Sequence, residues 1–117
     1  MCEFKVFDRE RLIAQEIVYA NVSSNTLALK DVLGFTTNVE DVIVSEIDVA
    51  RETIRLKKNP LIGDVLQFID AVSRCEESGK YDKNLEDIWQ KVKSGGDETV
   101  RELWRKTEKR KWEKPLS

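Results

Sequence analysis

The sequence predicts an α+β protein in which a small β-barrel of five or six antiparallel strands is followed by three helices. Three observations carry that expectation. Over residues 1–57 apolar side chains recur with a period of two between short turn-forming clusters, and from residue 58 the period becomes that of a helix. At the boundary stands Asn59-Pro60, an Asn cap followed by a proline whose fixed φ and missing N–H suit the first helical position.

The strands are expected at 3–7, 12–22 with a bend near Gln15, 26–30, 35–39, 42–48 and 53–57. Between them lie Asp8-Arg9-Glu10, Ser23-Ser24-Asn25, Leu33-Gly34 and Ala50-Arg51-Glu52, residues that tolerate turn geometry or bond their own backbone. The last strand alternates most cleanly, with Ile54 and Leu56 inward and Thr53, Arg55 and Lys57 outward. Short strands joined by short turns suggest an up-and-down meander curling into a barrel.

Beyond Pro60, Leu61, Val65, Phe68, Ile69 and Val72 form a stripe that reaches Cys75, predicting a helix over 60–77 that ends near Gly79. Asn84 caps a second helix over 84–94, with Leu85, Ile88, Trp89 and Val92 at helical spacing and Gly95 as its stop. A third, over 97–114, carries Val100, Leu103 and Trp104. The chain therefore divides into a barrel, 1–57, and a helical extension, 58–117.

Composition narrows the chemistry. The 117 residues are 40% hydrophobic and 36% charged, as suits a folded protein with a heavily charged surface. No apolar run is long enough to span a bilayer and the N-terminus has no signal-peptide pattern, so no membrane association and a cytoplasmic location are expected. With no histidine, triads and His-based metal motifs are excluded, and no phosphate-binding glycine loop is present. No carboxylate pair or activated nucleophile stands out, so the chain does not read as an enzyme. There are seven basic and ten acidic residues in the first 57 (net −3) and thirteen and twelve thereafter (net +1), matching the overall −2. A barrel this small sits below the size at which one core comfortably supports a fold, which predicts a homodimer.

Four segments resemble a known family: Met1-Cys2-Glu3-Phe4-Lys5-Val6, Ile17-Val18-Tyr19-Ala20-Asn21-Val22, Leu29-Lys30-Asp31-Val32-Leu33-Gly34 and Ile43-Val44-Ser45-Glu46-Ile47-Asp48. Together they are similar to the CooT-like proteins, small nickel-binding proteins also catalogued as predicted RNA-binding proteins. The resemblance spans about residues 1–57, and the helical remainder has no counterpart in the short nickel-binding members. It implies an SH3-like barrel, a homodimer and a role in supplying Ni(II) to a client metalloenzyme such as a carbon monoxide dehydrogenase. The family's metal site, the cysteine after the initiator methionine, carries over to Cys2.

The chemistry of Cys2 can be argued apart from the family. The Met1 amine, the Cys2 amide nitrogen and the Cys2 thiolate can close two fused chelate rings, and planar N and S donors suit Ni(II) or Cu(II). The competing reading is that Cys2, on the same strand face as Phe4 and Val6, is a small apolar residue without function. Cys75, on the stripe of the first helix, reads as core. Glu3, Glu46 and Asp48 lie near strand ends but are hard donors better suited to Mg²⁺ or Ca²⁺.

The alternative function is RNA binding. Trp104, Arg105, Lys106, Lys109, Arg110, Lys111 and Trp112 lie in a stretch where seven basic residues face three acidic ones over 101–114. Basic groups neutralise phosphates and an indole can stack on an unpaired base. Against that reading, Val100, Leu103 and Trp104 would equally serve as the buried stripe of an ordinary third helix.

Overall fold

A computed structural model describes residues 2–113. Six strands precede two helices: β1 (Phe4–Asp8), β2 (Arg11–Ser23), β3 (Thr26–Asp31), β4 (Thr36–Glu40), β5 (Val42–Asp48), β6 (Thr53–Lys58), α1 (Pro60–Ser78) and α2 (Asn84–Glu113). The strands form one sheet in the order β4-β3-β2-β1-β6-β5. The α+β class and all six strands match the expectation from periodicity. The closed antiparallel SH3-like barrel and the three helices do not.

Two corrections concern the sheet. β1 is central, antiparallel to β2 on one side and parallel to β6 on the other, with Val6 opposite Ile54 and Asp8 opposite Leu56, so the sheet is mixed. The sheet is also not closed. Its edge strands β4 and β5 are consecutive in sequence and meet at the single residue Asp41, yet no ladder joins them. At that corner the backbone adopts φ 61, the Asp41 N–H donates to Asn25 Oδ1 at 3.0 Å, and the Asp41 carbonyl accepts from the Asn59 N–H at 3.0 Å. Backbone groups that would continue a ladder are satisfied by two asparagines instead.

The sheet curls around its own core. Val6, Ile17, Leu27, Leu29, Val39, Val42, Ile54 and Leu56 are buried together, with Phe4, Ile13 and Ala14 packed against them. Every strand contributes, and the inward Ile54 and Leu56 follow the predicted alternation. The bend expected in β2 falls at Glu16, whose φ is 58, between register shifts against both neighbouring strands. That left-handed residue re-aims the strand so that its two halves can pair with β1 and β3.

The third correction concerns the helices. Asn59 caps α1 as predicted, its side chain accepting from the Leu61 N–H at 2.9 Å, and Gly79 ends it with φ 70 and an N–H bonded to the Cys75 carbonyl. Gly95, however, does not stop the second helix. α2 runs unbroken through Gly95-Gly96 to Glu113, about 45 Å at the usual rise. The reason is packing: a Cβ on Gly95 would stand 3.0 Å from Asp64 Oδ2 and 3.2 Å from Leu61 Cδ1, so this glycine admits α1 at close range. Phe68 and Trp89 stack with centroids 5.0 Å apart, and Lys91 pairs with Asp64 at 3.6 Å, which fixes the two helices as an antiparallel hairpin.

That hairpin meets the sheet at the Asp41 corner. The buried Gly63, in the first turns of α1, lies against Asn25 and Asp41, and Ala71 is the one other buried helical residue among those described. The molecule is consequently extended, with a radius of gyration of 18.4 Å and extents of 54 × 49 × 21 Å, against about 13 Å for a compact chain of this length.

Candidate functional site

Cys2 lies in extended chain two residues ahead of β1, and its side chain is exposed. The strand that positions it is held from across the sheet: the Glu3 N–H donates to Glu52 Oε2 at 3.3 Å and the Lys5 N–H to the Glu52 carbonyl at 2.9 Å. Parallel pairing of β1 with β6 brings the turn before β6 to the start of the chain. Glu52 is therefore a site neighbour that periodicity could not reveal, because alternation reports which face a residue occupies and nothing about which strand lies alongside. Its sequence signal was only that of a turn residue.

Sulfur at Cys2 is open to solvent rather than part of the core, which departs from the apolar reading of its strand face. Cys75 is half-buried in the last turns of α1. Twelve residues separate it from Gly63 at the sheet corner, about 18 Å along the helix. Both thiols are free. Met1 lies outside the described residues.

Two of the three carboxylates near strand ends are otherwise engaged. Glu46 pairs with Arg55 at 3.8 Å, and Asp48 pairs with Arg51 at 3.7 Å while accepting from the Arg51 N–H at 3.1 Å. Among the described residues, no group of three or more Cys, Asp or Glu side chains converges in the way a cage of side-chain ligands requires.

The residues of the RNA reading all fall on the distal half of α2. Trp104, Arg105 and Lys106 are exposed, and Arg105 is tied to Glu102 by a 3.2 Å ion pair. Val100, Leu103 and Trp104 do not form the buried stripe of a third helix, since α2 passes the start of α1 near Gly95 and, among the described residues, nothing lies across them. Lys109, Arg110, Lys111 and Trp112 belong to the same helix, and their side chains lie outside the described residues.

A cavity of about 550 Å³ lies between the end of α1 and the start of α2, lined in part by Arg74, Cys75, Lys80, Tyr81 and Lys83. Tyr81 donates to Glu86 Oε2 at 2.8 Å. That bond, with smaller contributions from partial desolvation and from the charges of Glu86, Cys75 and Asp82, raises the phenol above its ordinary value.

No protein family matches the chain, and comparison with curated proteins gives no match. Among the described residues, no helix is long and apolar enough to cross a membrane.

Proposed function

We propose that this protein binds a soft divalent metal, most simply Ni(II), through Cys2, and carries it as cargo toward a client metalloenzyme. The single observation behind this reading is the exposed thiol at the start of β1, placed where its own amide nitrogen and the Met1 amine are the nearest donors along the chain. Thiolate and amide or amine nitrogen are the donor types that a square-planar Ni(II) accepts. One chain offers three such donors at most, and a fourth would come from a second copy or from the client, which suits a carrier that must release its metal. The resemblance of residues 1–57 to the CooT-like proteins supports nickel over copper and a carbon monoxide dehydrogenase as the kind of client.

Titration of reduced, metal-free protein with Ni(II), followed by thiolate-to-metal absorption, tests the proposal. Cys2→Ser abolishes the band and Cys75→Ser keeps it. Adding residues ahead of Met1 weakens binding, because the amine is moved away, and affinity falls as pH drops, because the thiol must lose its proton to ligate. Equal binding by Cys2→Ser and parent defeats the assignment.

A further inference from the structure

Among the described residues, nothing packs on the distal half of α2. Every residue from Asp97 to Thr107 is exposed. Val100, Leu103 and Trp104 follow one another at helical spacing and are 69%, 61% and 63% exposed. The opposite side carries intrahelical ion pairs, Glu98 with Arg101 at 3.4 Å and Glu102 with Arg105 at 3.2 Å. The 17 residues 97–113 extend roughly 26 Å past the α1 contact, and a helix of that length is marginal in water unless an apolar face is covered.

Charge indicates what covers it. Residues 97–102 hold Asp97, Glu98 and Glu102 against Arg101, a net −2, whereas 105–111 hold Arg105, Lys106, Lys109, Arg110 and Lys111 against Glu108, a net +4. The segment is thus acidic in its first half and basic in its second. Laid antiparallel on a copy of itself, each acidic half meets a basic half. Laid parallel, basic faces basic and the pairing is opposed. An RNA partner would meet the acidic half at a cost, and part of the basic half is already engaged with Glu102.

We propose that α2 residues 97–113 pair antiparallel with the same segment of a second copy of this chain, with Val100, Leu103 and Trp104 enclosed and the acidic and basic halves opposed. The interface is isologous, as a twofold dimer requires. Its residues do not include Cys2, so the dimer and the metal reading are tested by separate variants and separate assays.

Sedimentation equilibrium of the full chain over a wide concentration range reads the result. The parent dimerises, and Leu103→Asp or Trp104→Ala raises the dissociation midpoint by about 30-fold or more, as expected for a central aromatic or apolar anchor. Orientation is tested by two charge variants: D97K/E98K/E102K, and K106E/K109E/R110E. Each alone is monomeric and retains its helical circular dichroism, and an equimolar mixture forms a heterodimer. A parent that stays monomeric throughout overturns the proposal, as do charge variants that dimerise alone as well as the parent. A monomeric parent whose RNA affinity falls on Trp104→Ala and is strongly salt-dependent would assign this face to nucleic acid instead.

Discussion

Replacing Gly63 with Ala drives a methyl group into the junction that holds the helical hairpin to the sheet. A Cβ there would collide with Asp41 Oδ1 and stand 2.6 Å from Asn25 Nδ2, closer than packed atoms tolerate. Those two side chains are not free to swing away. Asn25 Nδ2 donates to Asp41 Oδ1 at 2.8 Å while Asn25 Oδ1 accepts from the Asp41 N–H at 3.0 Å, so yielding to the methyl breaks a reciprocal pair. Overpacking of this kind costs about 1–3 kcal/mol, and each bond lost adds about 0.5–1.5 kcal/mol. The better helix propensity of Ala returns about 0.8–1 kcal/mol. The net expectation is a loss of about 2 kcal/mol, read as a lower urea midpoint in far-ultraviolet circular dichroism, by about 1 M for an ordinary m-value. Gly96→Ala is the internal comparison. Nothing lies within 4 Å of a Cβ at Gly96, so that variant gains about 0.8–1 kcal/mol from propensity alone. If Gly63→Ala is as stable as Gly96→Ala, the corner is looser than argued and propensity governs both sites.

Leu29 is 1% exposed at the centre of the sheet core, so Leu29→Ala costs about 2–5 kcal/mol in the same urea assay, and a loss below 1 kcal/mol would mean the core collapses around the gap. In a spectrophotometric titration Tyr81 ionises above the ordinary tyrosine range, and Glu86→Gln brings it down. Because the folded phenol is raised, its contribution to stability is fully present below the ordinary tyrosine range and is lost only as pH rises through the folded value. Glu86→Gln therefore removes, at neutral pH, the small contribution this exposed bond makes, and the difference from the parent narrows as pH rises through the folded value.

Much of the local structure was legible because it depends on neighbours along the chain. The alternation through Ile54, Arg55 and Leu56 named the faces of β6, and Asn59-Pro60 and Gly79 bracketed α1 with the caps the structure contains. Cys2 was legible as a candidate because its nitrogen donors are adjacent in sequence. Glu52 was not, since its approach to the start of β1 follows from parallel pairing between strands more than forty residues apart. Gly95 misled for a related reason: a glycine before a charged stretch looks like a helix stop, and only the nearness of Asp64 and Leu61 reveals it as a point of close helix packing.

By itself the sequence determined the α+β class, the places of the strands and the start of the helical half, because periodicity and capping are energies set within a few residues. Tertiary structure decided that β1 pairs parallel with β6, that Asp41 spends its backbone hydrogen bonds on Asn25 and Asn59 and leaves the sheet open, and that two predicted helices are one. Each of those outcomes rests on which distant groups satisfy a hydrogen bond or fill a gap, and α2 is left with a bare apolar stripe because, among the described residues, no distant part of the chain reaches it.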